Sequence, residues 1–345
     1  MRYCSKPFEE FEIDVDGKCY CCCRWWNNSY CLGNILEQDI EEIWNGAAAQ
    51  ELRRSILEGD YKYCNIKECL PNHSDKVKYE KITNYPLEIS LCYDYSCTAK
   101  CVFCNDSVKV MSQKEADKWN GIIDTKLIPL LKNAKFVRLS MVGELFSSKH
   151  SINLVKRISK QYPHIRFEIV SNGIYASEEN IKNLDIANKI ASIKFSVPSF
   201  KNSTYKKLVR NGNLAAVKNN LEYISYLHKN NKLPDFRLNF IISSVNYKEI
   251  IEYIKYANEL DAQVDFLLLD KHDESTTFLK NFDKYNVANP KHPDYNHFID
   301  IINSPKLKQY KNFHINPNIL AMKKVSLTTQ VKNTLKYIFT RKITP

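Results

Sequence analysis

Twelve cysteines, all within the first 104 of 345 residues, are the side chains best placed to do chemistry in this chain. The densest group is Cys97-Thr-Ala-Lys-Cys101-Val-Phe-Cys104, three thiols in eight residues. Thiolates so spaced can wrap one metal centre. Their number matters. A closed structural site takes four ligands, whereas three leave one metal position open to a substrate or cofactor. The competing reading is a zinc knuckle whose fourth ligand comes from elsewhere, such as Cys92. A second set lies nearer the start: Cys4, then Cys19, Cys21, Cys22, Cys23 and Cys31, then Cys64 and Cys69. Gly17 can turn a hairpin that brings Cys22 back toward Cys4. Four thiolates from this set complete the shell of a [4Fe-4S] cluster or a zinc ion. The choice among Cys21, Cys22 and Cys23 stays open.

A disulfide scaffold is a short secreted chain, and this chain is long. Its first residues are acidic and polar, with no apolar signal-peptide core, and no run of about 18 apolar residues occurs. The expectation is a cytoplasmic protein without a spanning helix. Charge is uneven. Residues 1–70 hold 8 Lys and Arg against 13 Asp and Glu, a net of −5, while the whole chain is +11, leaving +16 for the remainder. That surface suits anionic partners, or is simply a basic solvated surface.

The elements that must position these cysteines can be read from periodicity. Phe11 to Val15 alternates as a strand into the Asp16-Gly17 turn, and residues 39–57 carry the stripe of one helix ended by Gly59. Residues 71–85 are a polar linker. From Leu87 onward six strand-like runs (87–92, 136–142, 165–171, 192–197, 236–243 and 264–269) alternate with helical ones (114–131, 152–162, 204–229 and 247–260). This predicts an α/β fold, a parallel sheet with helices outside and an active site at the strand C-termini. Residues 275–345 are less regular. The segment 323–345 is basic, with Val331, Leu335, Ile338 and Phe339 on one helical face. Such a tail packs on its own domain or touches an anionic membrane peripherally.

Cys-x3-Cys-x-aromatic-Cys, with Phe103 as the aromatic, resembles the signature of the radical S-adenosylmethionine (radical SAM) superfamily. Met141-Val142-Gly143-Glu144 is similar to the family's Gly-Gly-Glu segment, with Val142 for the first glycine and Leu145 for the usual proline. Ser171-Asn172-Gly173 is similar to its Thr-Asn-Gly, and Ser196 and Arg210 follow in order. The resemblance covers about residues 85–270. It implies a partial (β/α)6 TIM-like barrel and a [4Fe-4S] cluster on Cys97, Cys101 and Cys104 that binds S-adenosylmethionine. It further implies cofactor contacts from Phe103, Gly143, Glu144, Asn172, Ser196 and Arg210. The chemistry it implies is reductive cleavage of the sulfonium to a 5′-deoxyadenosyl radical that abstracts hydrogen from a substrate.

The N-terminal block, with DGKCYCCC, LGNI, EEIWN and ELRRSILEGD, resembles the SPASM/twitch auxiliary-cluster domain. That resemblance implies a second [4Fe-4S] cluster on Cys4, Cys22, Cys64 and Cys69, placed before the barrel rather than after it. Trp25, Trp26 and Trp44 read as core or cluster shielding. The expected organisation is an auxiliary domain at 1–75, a radical SAM partial barrel at 76–272 and a C-terminal extension at 273–345. The expected function is hydrogen abstraction leading to oxidation or crosslinking of an anionic peptide, protein or phosphate-linked sugar. A flavodoxin or ferredoxin is the expected electron donor, and nucleic acid is not an expected partner. No catalytic base stands out among Asp265, Asp270, Asp273 and Glu274. The alternatives are a zinc-binding RNA-interaction protein and a two-cluster electron-transfer protein without its own substrate.

Overall fold

The computed structural model describes residues 4–22, 30–65, 83–104, 108–139, 142–271, 276–326, 328–333 and 335. The chain divides into two compact units. The first comprises Met1–Thr98, Lys109–Ser171 and Glu179–Ile193, and the second Ala99–Val108, Asn172–Glu178 and Lys194–Pro345.

In the first unit a helical turn, α1 (Lys6–Glu9), leads into β1 (Glu10–Asp14), and a hairpin returns as β2 (Lys18–Tyr20). Gly17 takes φ +79°, a left-handed conformation open to glycine at little cost. The Asp14 carboxylate accepts the N–H groups of Asp16 and Lys18, both at 2.9 Å, and so closes the turn. β3 (Gly33–Asn34) pairs antiparallel with β2. The single helix expected over 39–57 is two: α2 (Ile40–Asn45) and α3 (Ala47–Glu58). Gly46, at ψ 168°, leaves helical space between them. Asp39 and Glu42 form a capping box at the start of α2, and Gly59 at φ +79° ends α3.

Then come β4 (Glu88–Cys92), α4 (Gln113–Ile122, prolonged by a π turn at Ile123–Leu127), β5 (Phe136–Leu139), α5 (Lys149–Gln161), β6 (Arg166–Ser171), α6 (Glu178–Asn183) and the start of β7 (Ile190–Ser196). The sheet of this unit runs β6-β5-β4-β1-β2-β3. β1 pairs parallel with β4, as β4 does with β5 and β5 with β6. The N-terminal block thus adds its strands to the sheet that the βα alternation begins.

One face of these strands is apolar and buried, through Phe11, Ile13, Ile89, Leu91, Val137, Leu139, Phe167 and Ile169. The other carries charge. Glu12, Ser90, Arg138 and Glu168 stand in register across four strands. The Arg138 guanidinium lies 2.7 Å from both Glu10 and Glu168 and 3.5 Å from Glu88, and Lys6 lies 2.6 Å from Glu10. Burial alone would raise the Glu10 carboxyl, but Arg138 and Lys6 outweigh it and hold the group below the usual carboxylate range.

The second unit takes up the end of β7 and continues through α7 (Asn202–Leu208), α8 (Leu214–Lys229), β8 (Asp235–Ile242), α9 (Ile250–Glu259), β9 (Gln263–Leu268), α10 (Tyr295–Ile302) and β10 (Phe313–Ile315). Strand order is β7-β8-β9-β10, with β9 parallel to both β8 and β10. Phe195, Phe236, Phe240 and Phe266 fill its core. The α/β alternation predicted from Leu87 onward is present from β4 to β9. β10 escaped the sequence reading because three residues carry too short a pattern. One helix was expected over 204–229, yet the chain leaves helical conformation between Leu208 and Leu214. Among the described residues, no helix is long and apolar enough to cross a membrane. Most of the predicted tail helix, residues 336–345, lies outside the described residues.

Candidate cluster and cofactor sites

In the first unit the chain leaving β4 is fixed before it reaches Cys97. The Asp94 carboxylate accepts the Ser96 N–H at 3.0 Å and the hydroxyls of Ser148 and Ser151. Burial pushes the Asp94 carboxyl up, but these hydrogen bonds more than reverse it, so it is held below the usual range. The Ser96 hydroxyl accepts the Met111 N–H at 2.9 Å. Cys97 and Lys109 then exchange backbone hydrogen bonds at 2.8 and 3.2 Å.

Gly143 meets this segment. It has φ +78°, and a Cβ there would stand 2.4 Å from the Asp94 carbonyl and 3.0 Å from that of Ser96. Next to it, the Glu144 N–H donates to the Ser96 carbonyl at 2.7 Å. The Glu144 side chain is 1% exposed, and its carboxylate accepts the Ser171 hydroxyl at 3.0 and 3.1 Å and the Phe146 N–H at 3.3 Å. A buried carboxylate held from two sides is poised to accept one more hydrogen bond from a cation. Asp94, Ser96, Ser148 and Ser151, which build this support, were missed by the sequence reading, since serines and an aspartate after a strand look like ordinary loop.

In the second unit the rest of the cysteine loop is stitched to the break between α7 and α8. Cys101 bridges Val209, with the Val102 N–H on the Leu208 carbonyl at 2.9 Å. The Arg210 N–H donates to the Lys100 carbonyl at 3.2 Å, and the Lys100 N–H to the Asn211 side chain at 2.6 Å. This pairing accompanies the interruption of the predicted long helix: the Leu208 carbonyl and the Arg210 N–H are spent on the loop instead. Gly212 completes the break, for a Cβ there would lie 2.6 Å from the Tyr205 ring. Tyr205 is buried, and burial, with the Cys101 thiol nearby, pushes its phenol well up.

Phe103 packs edge-on against Phe278 at 6.4 Å, beside Val102, Leu208 and Leu269. Arg210 is exposed and Ser196, at the end of β7, half-buried. Gly173, at φ +79°, is fixed through the Asn220 amide, which donates to the Gly173 and Ile174 carbonyls, and Asn172 accepts the Ile174 N–H at 2.9 Å. Asp265 is paired with Lys194 at 3.1 Å and Arg237 at 3.4 Å, while Asp273 and Glu274 lie outside the described residues.

Cys97 and Cys101 are half-buried and Cys104 is exposed. Among the described residues no three His, Cys, Asp or Glu side chains already form a metal-binding group. The backbone carrying these thiols is pinned while the thiols stay accessible. That donor set and that loop fit a cluster with one face open.

The N-terminal cysteines sit differently. Cys4 and Cys64 pack against one apolar cluster of Phe8, Ile56 and Tyr61. Cys22 is 9% exposed, and the Cys21 thiol donates to its sulfur at 3.8 Å. That hydrogen bond, burial, and the charges of Cys21, Glu10 and Glu12 push the Cys22 thiol up. Cys19 spends its thiol on the Gly17 carbonyl, and Cys31 on that of Gly33. Both therefore serve the hairpin. Cys23, Cys69, Trp25 and Trp26 lie outside the described residues. Trp44 is buried, edge-on to Phe11 at 6.2 Å, with its N–H on the Thr83 carbonyl. Half-buried soft thiols against an apolar cluster, with Cys22 buried, fit a cluster closed by protein ligands.

Comparison with known proteins bears first on the N-terminal cysteines. The SPASM family, described as an iron-sulfur cluster-binding domain, matches residues 4–70. The chain is 23% identical over 203 residues to the GTP 3′,8-cyclase of Limosilactobacillus fermentum, covering 55% of each chain. It is also 23% identical over 202 residues to that of Lactiplantibacillus plantarum, again over 55% of each. It spans about half the length of these curated relatives. Among solved structures, anSMEcpe with bound AdoMet aligns with a TM-score of 0.41 at 14% identity, over 62% of this chain and 56% of that one. Methylornithine synthase (PylB) aligns at 0.40 and 11%, over 62% and 61%. The family match gives residues 4–70 an iron-sulfur cluster. Residues 4–70 belong to the SPASM family of iron-sulfur cluster-binding domains, and the three-cysteine motif after β4 resembles the radical SAM signature.

Proposed function

We propose that the chain is an enzyme that abstracts a hydrogen atom from a phosphate-bearing small molecule, leading to its oxidation or crosslinking. One observation carries the reading: Lys100, Cys101 and Val102 pair with 208–211, so Arg210 is fixed beside the cysteine loop. A structural zinc knuckle gives no role to that pairing, nor to Glu144 buried on Ser171. When bound, the clusters and S-adenosylmethionine supply electrons and a hydrogen-abstracting 5′-deoxyadenosyl radical.

The chain's own residues do the rest. Cys97, Cys101 and Cys104 hold the open cluster, and Cys4, Cys22, Cys64 and Cys69 the closed one. Glu144 accepts the amino group of the cofactor, with Ser171 keeping its carboxylate oriented. Arg210 suits the cofactor's carboxylate, being bidentate and always charged. Gly143 and Asn172 shape the turns against it, Ser196 meets its ribose, and Phe103 walls the loop from water. The net charge of +16 beyond residue 70 supports an anionic substrate, and the name of the curated relatives favours a phosphate over an acidic peptide. The proposed organisation remains 1–75, 76–272 and 273–345, in a cytoplasmic protein fed by a flavodoxin or ferredoxin.

The test is anaerobic reconstitution with iron and sulfide, then dithionite and S-adenosylmethionine, scoring 5′-deoxyadenosine. Phosphorylated sugars, nucleotides and acidic peptides would be screened for those that raise it and pass deuterium into it. Product stimulated by a phosphate ester supports the proposal. Stimulation by acidic peptides alone overturns the substrate class. Folded protein that holds zinc and makes no 5′-deoxyadenosine overturns the enzyme reading.

A further inference from the structure

α3 carries an arginine in an unusual place. Arg53 is 2% exposed, as buried as the leucine before it. Its Nε donates to the Pro7 carbonyl at 2.8 Å and its Nη1 to the Trp44 carbonyl at 2.7 Å, and the guanidinium lies 4.2 Å from the Trp44 ring centroid. Nη2 is buried and has no hydrogen-bond partner among the described residues. Nor, among the described residues, does a carboxylate answer the charge. Burial pulls the Arg53 guanidinium down to about 10, and the group that pulls the other way is the Cys21 thiol. Proteins seldom bury a charged, forked donor and leave one arm idle, because the lost hydration is not returned.

The surroundings say what the arm is for. Pro7, which holds Nε, lies three residues after Cys4 and next to Phe8, against which both Cys4 and Cys64 pack. Cys21, which acts on the charge, is bonded to Cys22. The nearby Glu10 carboxylate is already answered by Lys6 and Arg138. Arg53 thus sits beside Cys21, the neighbour of Cys22, and on the segment whose Phe8 packs against Cys4 and Cys64, three of the four thiols read above as ligands of the closed cluster. Such a cluster carries net negative charge, which grows by one on reduction, and N–H donors to its sulfurs tune its potential.

We propose that Arg53 belongs to the N-terminal cluster: its Nη2 donates to a cluster sulfur, and its fixed charge favours the reduced form. The inference rests on Cys4, Cys22, Cys64 and Cys69 holding that cluster. Arginine suits the role better than lysine, because two arms can be spent on the protein while a third reaches the ligand.

The test uses reconstituted full-length Cys97→Ala/Cys101→Ala/Cys104→Ala protein, so that only the N-terminal cluster remains. With 15N-arginine incorporated, pulsed EPR of the reduced cluster should show a 15N coupling that Arg53→Lys abolishes. At a fixed potential, Arg53→Gln should lower the ratio of reduced to oxidised cluster at least about tenfold, which corresponds to about 59 mV for one electron. Absence of the 15N coupling from the cluster-loaded, unsubstituted-Arg53 protein overturns the proposal, and this readout stands even if Arg53→Gln does not fold. A folded, loaded Arg53→Gln variant with an unchanged ratio also overturns it. Failure of the triple variant to hold any iron overturns the closed-cluster reading instead, and Arg53 with it, a different signature.

Discussion

The two cysteine regions differ in how the fold holds them. The Cys97–Cys104 loop has a pinned backbone and accessible thiols: Cys97 is paired to Lys109, Cys101 to Val209, and Cys104 is exposed. In the N-terminal set Cys22 is buried, while Cys4 and Cys64, half-buried like Cys97 and Cys101, pack against Phe8, Ile56 and Tyr61. Sequence spacing alone makes both look like generic metal motifs. Their environments separate them. A pinned backbone with an exposed third thiol suits a centre that must admit a small molecule, whereas thiols packed on an apolar cluster suit a centre closed by protein ligands.

Substitutions can break this contrast from either side. The largest effect expected is from Arg138→Met. It takes from Glu10, Glu88 and Glu168 the cation they share on the sheet that joins β1 to β4, β5 and β6, leaving Lys6 beside Glu10 and Glu88. Removing one partner of a buried pair costs about 3–5 kcal/mol, and urea unfolding should read that loss. Gly143→Ala strikes the open site. Its Cβ would collide with the Asp94 carbonyl at positive φ, so a loss of more than about 2 kcal/mol is expected. The 5′-deoxyadenosine yield should fall to background in folded protein that still keeps the absorbance of the N-terminal cluster.

Acid should weaken the N-terminal side through Glu10. Its folded pKa lies below the unfolded value of about 4.3. The stability it contributes is therefore present above that pH and lost as pH falls through the folded value. Glu10→Gln should be less stable than the parent near neutrality, with a flatter fall below about pH 4, measured by urea midpoints across pH. The smallest effect sharpens the glycine argument. Gly121 in α4 has nothing within 4 Å of where its Cβ would stand. Gly121→Ala should therefore stabilise by about 0.5–1 kcal/mol, the sign opposite to Gly143→Ala.

Much of this was legible in the residues. Six runs marked β4 to β9 within about three residues, because apolar residues recur at every second position facing the core, as in RFEIVS and DFRLNFII. The three cysteines and Phe103 announced themselves by spacing. What stayed hidden depends on partners distant in sequence. Nothing local says that β1 will pair with β4 across 78 residues, or that Glu10 and Arg138 will meet. The break at Val209–Asn213 joins a local signal, Asn211-Gly212-Asn213, to pairing with the cysteine loop that no local pattern announces. Arg53 reads from sequence as one more basic residue on a helix, and only its burial and idle Nη2 mark it out.

The most direct test of the open-against-closed division is EPR of the reduced, reconstituted protein with and without S-adenosylmethionine. The parent should give two cluster signals, one of which changes when the cofactor is added. The Cys97→Ala/Cys101→Ala/Cys104→Ala variant should keep only a signal that the cofactor leaves unmoved. A signal in that variant that still shifts with S-adenosylmethionine would contradict the account, because the buried N-terminal thiols would then be holding the open centre.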